Sequence, residues 1–178
     1  ACDIQPLPLN QIVDPPKIRV IIRKRPLNKK ETERGDTDVL ECDQQNAALF
    51  VNEPKVKVDL TKYTERHDFR FDDVFGEMVD NNELYMQAIQ PLIATVLRGG
   101  KATCFAYGQT GSGKTFTMGP LPIRAAADLF RVMERLPVYQ EVDMHVACFE
   151  IYGGKLFDLL NRRHRLEVRE DGKKRVQV

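Results

Sequence analysis

The chain has 178 residues, of which 42% are hydrophobic and 30% are charged, so it can bury one sizeable core and falls in the range of ordinary globular proteins. Its net charge of +1 excludes binding to nucleic acid or to an anionic membrane through the field of the whole molecule. Any electrostatic partner therefore has to meet a local patch of charge.

The chain shows no signature of secretion or of membrane insertion. Its apolar runs are shorter than the roughly 20 residues that a membrane span needs, and its first residues lack a basic segment followed by an apolar stretch. The four cysteines lie too far apart for a close-set zinc site or a dense disulfide framework: Cys2, Cys42, Cys104 and Cys148. We therefore expect reduced thiols in a soluble intracellular protein.

The first elements in chain order are a linker and a strand. Residues 1–16 contain four prolines and no hydrophobic period, which predicts an extended leader. The fold is expected to begin at Lys17, with a β-branched strand over 18–22 that ends at the Pro26 turn. The charged residues 28–38 are expected at the surface.

A projecting hairpin is predicted next. Two short strand-like segments, 48–51 and 56–60, are separated by Asn52 to Lys55, which has the length of a hairpin connection. This arrangement places Lys57, Val58 and Asp59 on or beside the projecting hairpin.

Helices and strands alternate in the rest of the chain. A helix over 81–97, interrupted at Pro91, is followed by an apolar strand over 103–107. A second helix, from Pro122 to just before Pro137, precedes a buried strand over 142–151 and a hairpin over 165–178. The apolar face of this second helix is expected to consist of Ile123, Ala126, Ala127, Phe130 and Met133. The alternation predicts an α/β fold, with a central, mostly parallel or mixed sheet flanked by helices.

The strongest motif follows the strand over 103–107 directly. Residues 108–115 match the phosphate-binding pattern G-x-x-x-x-G-K-[ST]: Gly108, Gln109, Thr110, Gly111, Ser112, Gly113, Lys114 and Thr115. The glycines let backbone N–H groups converge on phosphates, Lys114 can reach the outer phosphates, and the Thr115 hydroxyl can ligate magnesium. A glycine-rich turn with a solvated lysine is the alternative, and the strand before the motif argues against it. We therefore predict a P-loop for ATP or ADP with Mg²⁺, in which Lys114 and Thr115 are catalytic and Thr115 is the metal ligand.

Three segments carry a resemblance to the kinesin motor domain: RKRPL, CFAYGQTGSGKT and FEIYGGKLFDLL. The resemblance runs from about Lys17 to Val178 and covers the N-terminal half of such a domain, which implies a P-loop NTPase fold. The triplet Lys57, Val58 and Asp59 resembles the mark of the kinesin-13 subfamily, whose members take microtubule ends apart. Tubulin is then the implied partner, and the cytoskeleton of the cytoplasm, including the spindle, is the implied location.

The resemblance also implies residues near the base of the nucleotide. Arg23, Arg25 and Pro26 would lie under the adenine, where guanidinium groups and a proline ring can form a shelf; a solvated basic turn is the alternative. Gly100 and Phe116 stand where many transport kinesins have a tyrosine and a histidine near the base. Phe116 is therefore either a contact of the nucleotide or a core residue.

Kinesin motor domains carry switch I and switch II segments after the P-loop, which hold magnesium and position water. The residues after the P-loop here contain neither segment. We therefore expect an incomplete domain that lacks turnover by itself, and a microtubule-stimulated ATPase in the intact motor. The alternatives are another P-loop enzyme, such as a small-molecule kinase, and a non-catalytic tubulin-binding module. Small kinases place the P-loop right after their first strand, and a non-catalytic relative would be expected to have lost Lys114 or Thr115.

Two further groups of residues have open or neutral interpretations. The isolated histidines His67, His145 and His164 are expected to be structural or solvated, with no metal site beyond magnesium. The basic tail is expected either to form a solvated hairpin or to contact acidic tubulin: Arg162, Arg163, Arg165, Arg169, Lys173, Lys174 and Arg175.

Overall fold

The computed structural model of the chain describes residues 16–136, 138 and 141–177. It contains two compact units, Ala1–Arg135 and Leu136–Val178. The leader predicted over 1–16 lies outside the described residues, apart from Pro16. The domain boundary at Lys17 stays a prediction.

A parallel pair of strands lies beside the main core of the first unit. Strand β1 (Ile21–Arg23) pairs with a later strand, Asp73–Phe75, so that Ile22 lies opposite Val74. The strand predicted over 18–22 therefore forms only from Ile21 onward, and the side chain of Ile18 is 80% exposed. Between the paired strands, the charged segment 28–38 contains a short surface helix that was not predicted, α1 (Lys29–Glu33).

An antiparallel sheet occupies the connection between the paired strands. Its strands, in order, are β2 (Leu40–Asp43), β3 (Ala48–Val56) and β4 (Lys62–Arg70). The strand Asp73–Phe75, which pairs with β1 in the other sheet, is β5. The turn predicted over Asn52 to Lys55 is wrong, because these residues lie within β3 and the chain reverses over 57–61. A hairpin that begins at Ala48 is present, but the second predicted strand, over 56–60, is wrong: residues 57–61 form the turn, and the returning strand is β4.

Pro54 misled the prediction of the turn, and its position in β3 explains why a strand tolerates it. The Lys57 N–H donates to the Thr61 carbonyl, so the alternation of an antiparallel ladder turns the nitrogen of Pro54 away from β4. On the other side, the bond from the Asn52 N–H to the Val39 carbonyl is the last link from β3 to the β2 segment. The missing N–H of Pro54 therefore faces a free edge of the sheet.

The helix predicted over 81–97 is present, and its winding changes beside Pro91. It consists of α2 (Asn81–Leu84), a π-helical turn (Tyr85–Ile89) and α3 (Gln90–Leu97). Pro91 has no N–H for the carbonyl of Gln87, and the guanidinium of Arg19 donates to that carbonyl instead, at 2.7 Å. The predicted interruption is thus confirmed as a wider turn inside a continuous helical segment.

The core of the first unit lies where the helical segment meets β5 and a later helix. The remaining helices are α4 (Lys114–Met118) and α5 (Leu121–Arg135). The buried cluster consists of Phe75, Val79, Leu84, Tyr85 and Leu121, with Ile21, Ile89, Met118 and Ala125 packed against it. This cluster packs β1 and β5 against the helical segment that precedes the predicted P-loop and against residues of α4 and α5 that follow it.

The apolar face predicted for α5 is wrong. Ile123 and Phe130 are 75% and 50% exposed, whereas Asp128 and Val132 are buried. Helix α5 has two stripes that could face inward, and packing on α3 and the π-helical turn selects the one that contains Asp128. That choice is stable because hydrogen bonds satisfy the buried carboxylate.

Two further predicted strands are absent or shortened in the described residues. The segment 103–107 pairs with no described strand, and Phe105 and Tyr107 are 82% and 99% exposed. The strand predicted over 142–151 is reduced to β6 (Phe149–Tyr152), and Val146 is 70% exposed. A strand-like composition gives a segment only a local preference for extended backbone. A strand forms only where a second segment completes the ladder of hydrogen bonds. The central parallel sheet is therefore limited here to the pair β1–β5.

The second unit is built from short antiparallel strands. Strands β6, β7 (Lys155–Asp158) and β8 (Arg165–Leu166) form one sheet, and β9 (Arg169–Glu170) pairs with β10 (Val176–Gln177). The hairpin predicted in the tail is thus confirmed. Asp171 begins its turn and accepts hydrogen bonds from the N–H groups of Lys173 and Arg175, at 2.8 and 2.9 Å.

The described helices include none that is both long enough and apolar enough to cross a membrane. Of the cysteines, Cys42, Cys104 and Cys148 are free thiols, and Cys2 lies outside the described residues.

Candidate functional site

The glycine-rich segment 108–113 forms a tight loop that leads directly into α4. Gly108 has φ +154°, and a Cβ atom built on it would lie only 2.5 Å from the hydroxyl oxygen of Ser112. Gly113 has φ +98° and caps the first turn of α4. Side chains larger than hydrogen at these two positions would strain or fill the loop, so the sequence pattern has a geometric cause.

Lys114 folds back into this loop. Its Nζ atom donates hydrogen bonds to the carbonyl oxygens of Gly108, at 2.7 Å, and Gln109, at 2.9 Å. The Ser112 N–H also donates to the Gln109 carbonyl, which closes the loop across its neck. The ammonium group is therefore inside the loop, at the place where an anionic ligand would replace the carbonyl oxygens as its partner.

Thr115 and Phe116 follow Lys114 on the first turn of α4, and both are exposed. The Thr117 N–H donates to the Gly113 carbonyl, which leaves the N–H groups before Thr117 at the open end of the helix. The side chain of Phe116 is 69% exposed, so the alternative that it is a core residue is wrong. Its ring instead lies beside Arg23, whose Cζ atom is 5.3 Å from the ring centroid.

The three residues predicted as an adenine shelf do not behave alike. Arg23 lies against α4, as just described, but the guanidinium of Arg25 forms two bonds to the carboxylate of Glu31 in α1, at 2.6 and 2.7 Å. Arg25 also donates to the carbonyl of Pro26, at 2.9 Å. These bonds to Arg25, followed by the Asn28 N–H, lower the pKa of Glu31 to about 2. Arg25 and Pro26 are thus tied to α1, while Arg23 is tied to the P-loop helix.

The triplet predicted as a protein contact forms the tip of the β3–β4 hairpin. The Lys57 N–H donates to the Thr61 carbonyl and the Leu60 N–H to the Lys57 carbonyl, both at 2.9 Å. Val58 is fully exposed, with a relative accessibility of 105%. The Thr61 N–H bonds to the carboxylate of Asp59 and lowers its pKa, so this acid stays ionised at the tip. An apolar side chain is thereby displayed between a cation and an anion.

The same hairpin corrects the interpretation of His67 as isolated from acids. Its Nε2 atom lies 3.1 Å from a carboxylate oxygen of Glu53 on the neighbouring strand. Glu53, Glu65 and His67 have ligand atoms within 4.8 Å of one another. The ammonium of Lys55 already contacts both carboxylates. Residues distant in sequence meet here through strand register, which spacing along the chain could not reveal.

A buried polar cluster between α5 and the helical segment 81–97 was also missed. The carboxylate of Asp128 is 1% exposed and accepts hydrogen bonds from the Tyr85 hydroxyl, at 2.8 Å, and from the Gln90 amide, at 3.2 Å. Arg131, one helical turn along, donates to the other carboxylate oxygen at 2.9 Å. The cluster fixes α5 against the π-helical turn and the first residue of α3. The available signal was an aspartate flanked by apolar residues, Ala125 to Ala127 before it and Leu129 and Phe130 after it.

In the basic tail, several arginines have partners within the second unit. Arg163 lies 4.8 Å from the ring centroid of Phe157 and donates to Glu150 at 2.6 Å. Arg175 donates to Asp171 at 2.8 Å. These contacts hold part of the positive charge of the tail against the strands of the second unit.

Comparison with known proteins identifies the family to which this arrangement belongs. Residues 23–178 match the model of the kinesin motor domain. The chain is 54% identical over 164 residues to kinesin-like protein KIN-13A of Oryza sativa subsp. japonica, which covers 91% of this chain and 20% of that protein. It is 51% identical over 162 residues to kinesin-like protein KIN-13B of Arabidopsis thaliana, with 91% and 23% covered. The chain thus spans about a fifth of the length of these relatives. It belongs to the kinesin motor domain family, and its fold class is that of a P-loop NTPase.

Proposed function

We propose that this chain is the nucleotide-binding part of an ATP-driven motor of the kinesin-13 kind. The observation that carries the proposal is the complete P-loop, residues 108–115, with the ammonium of Lys114 held inside it. The similarity to two proteins named KIN-13 supports the assignment to this subfamily.

The residues of the P-loop fit a nucleotide with magnesium. A Cβ atom at Gly108 would fill the neck of the loop, and Gly111 and Gly113 have positive φ angles of +83° and +98°. Such a backbone can direct N–H groups at phosphate oxygens. Lys114 would exchange its two carbonyl partners for the outer phosphates, and the exposed hydroxyl of Thr115 would ligate Mg²⁺. The metal ion would offset phosphate charge when bound.

A titration tests this nucleotide site. We expect the chain to bind Mg·ATP and Mg·ADP, and Lys114→Ala to weaken the affinity about 10- to 150-fold, because one charge-assisted hydrogen bond contributes roughly 1.5–3 kcal/mol. Lys101→Ala, an exposed lysine shortly before the loop, is the matched control and should leave the affinity unchanged. Equal affinities for Lys114→Ala and the original chain would refute the assignment.

The base of the nucleotide is proposed to lie beside Phe116 and the segment from Arg23 to Pro26. The exposed ring of Phe116 supports this location. Arg25 and Pro26 complete the shelf that the family resemblance implies.

Turnover is proposed to require more than these residues. The segments that position water and sense the γ-phosphate in kinesins do not follow the P-loop here, so a polypeptide of these 178 residues should hydrolyse ATP no faster than background. The intact motor is proposed to be an ATPase that microtubules stimulate. Steady-state turnover with and without microtubules tests both statements. It also separates the motor from a non-catalytic tubulin-binding module, which would show no turnover even when intact.

Tubulin is the proposed partner, and Lys57, Val58 and Asp59 form the proposed contact. Their position at the hairpin tip and the full exposure of Val58 support it. A curved tubulin pair at a microtubule end would offer the tip more contact than a straight lattice does. Binding that favours the curved state shifts tubulin toward leaving the lattice. The motor would then act on microtubules in the cytoplasm, including those of the spindle.

A further inference from the structure

Arg23 connects two helical segments of the first unit. It is the last residue of β1, and its Nη1 atom donates to the hydroxyl of Thr117 in α4 at 2.9 Å and to the side-chain carbonyl of Asn81. Its Nη2 atom donates to the backbone carbonyl of Val79, also at 2.9 Å. One guanidinium therefore binds the start of α2 and the middle of α4 at the same time.

A second bond reinforces this connection from the side of α2. The amide nitrogen of Asn81 donates to the backbone carbonyl of Phe116 at 3.1 Å. The ring of Phe116 covers the guanidinium of Arg23, with 5.3 Å between Cζ and the ring centroid. Phe116 and Thr117 follow Lys114 and Thr115 directly, so these contacts fix the helical turn that carries the two predicted catalytic residues.

The environment of Arg23 suits a fixed connection. Its three hydrogen-bond acceptors are neutral groups, and burial lowers the pKa of the guanidinium while Asp80 opposes that effect. A cation that is partly withdrawn from water keeps its acceptors, because losing one would leave a desolvated N–H group without a partner. Its edges are engaged by protein groups, which restricts the orientation of the plane.

We propose that Arg23 is a positioning residue: it holds α4, and with it Lys114 and Thr115, against the first turn of α2, and it acts on nucleotide affinity through the P-loop and not through the base. The inference rests on the proposed nucleotide site and changes the role that the family resemblance implies for this arginine. Asn81 and Thr117 then belong to the same positioning unit.

A comparison of two ligands separates positioning from base contact. Mg·ATP and Mg·tripolyphosphate share the phosphates and differ in the nucleoside. A lysine at position 23 cannot keep all three hydrogen bonds. We therefore expect Arg23→Lys to weaken the affinity for both ligands by the same factor, about tenfold. Thr117→Val, which removes an acceptor from the opposite side, should weaken both by a smaller common factor. The loss in the double variant should be smaller than the sum of the two single losses, because the bond between Arg23 and Thr117 is affected in both.

Arg19→Lys provides the matched control, since the bonds of Arg19 go to Asp73 and to the Gln87 carbonyl. It should leave both affinities unchanged even if it lowers the unfolding temperature, which is measured for every variant without ligand. A loss in Arg19→Lys equal to that in Arg23→Lys would overturn the proposal in favour of a general effect on folding.

The remaining outcomes are also decisive. If Arg23→Lys weakened the affinity for Mg·ATP but not for Mg·tripolyphosphate, Arg23 would be assigned to the base. That result would overturn this inference and leave the proposed nucleotide site standing. Additive losses in the double variant would remove the bond to Thr117 from the proposal. If the unmodified chain binds neither ligand, the proposed nucleotide site fails and this inference fails with it.

Discussion

The hydrogen bond from Tyr85 to the buried carboxylate of Asp128 predicts how much Tyr85→Phe lowers the free energy of unfolding. The substitution removes the hydroxyl that donates to the carboxylate at 2.8 Å and leaves the aromatic ring in place. Asp128 is 1% exposed, so water cannot easily replace the lost donor, and the Gln90 amide at 3.2 Å is the remaining partner of that oxygen. Hydrogen bonds to charged groups contribute about 1.5–3 kcal/mol, so we expect a loss of about 2 kcal/mol in the free energy of unfolding.

Thermal unfolding followed by helical ellipticity measures this loss, because the described α-helices all lie in the first unit. For a chain of this size, a loss of about 2 kcal/mol lowers the unfolding midpoint by roughly 4–8 °C. Tyr63→Phe is the control: Tyr63 is 40% exposed on β4, and its substitution should change the free energy by less than about 0.5 kcal/mol. Equal midpoints for Tyr85→Phe and Tyr63→Phe would show that the cluster around Asp128 does not stabilise the fold.

Three further predictions follow from individual contacts. Burial and then the bond to Asp128 raise the pKa of Tyr85 above its unfolded value near 10. The contribution of Tyr85 to stability is therefore complete below about pH 10 and declines as the pH rises further. In unfolding experiments, Tyr85→Phe should reduce this alkaline decline in stability, and an unchanged decline would contradict the assignment. The pKa of Glu31 is about 2 beside Arg25, and NMR should show it rising toward 4.5 in Arg25→Ala. The stabilising effect of this ion pair is present above about pH 4.5 and is lost as the pH falls toward 2. A pKa that stays low in the variant would assign the shift to the Asn28 N–H alone. Gly108→Ala should strongly weaken the affinity for Mg·ATP in a titration, because the new Cβ atom would meet Ser112. In the control Gly172→Ala, the new Cβ atom meets nothing within 4 Å, and the affinity should be unchanged. An unchanged affinity in Gly108→Ala would contradict the geometry of the loop.

The elements that could be predicted from sequence are those with local causes. The glycines and Lys114 specify the P-loop through backbone freedom and charge, and the helical spacing of apolar residues specified the segment 81–97 despite Pro91. A hairpin with Lys57 to Asp59 on or beside it was also predicted, although its turn was placed several residues too early at Pro54 and a strand was expected over 56–60, where the chain reverses. A proline normally marks a turn, and only the free edge of β3 allows it within a strand.

The elements that could not be predicted depend on residues far apart in the chain. The segment 103–107 has strand composition but no partner strand among the described residues, so propensity alone gave the wrong answer. The contact of His67 with Glu53 depends on strand register, and the burial of Asp128 depends on which side of α5 meets the π-helical turn. The bonds of Arg23 to Asn81 and Thr117 likewise join residues that only the fold brings together.

We propose that this chain is part of a motor that uses its projecting hairpin to take microtubule ends apart. The most direct measurement is the length of microtubules, followed by light microscopy, in the presence of the complete motor with Lys57, Val58 and Asp59 all replaced by alanine. The control replaces Gln44 and Gln45, exposed residues of the turn at the opposite end of β3. We predict that the triple variant loses most of its shortening activity while its affinity for Mg·ATP stays intact, and that the control variant shortens microtubules normally. Unimpaired shortening by the triple variant would contradict the proposed role of the hairpin.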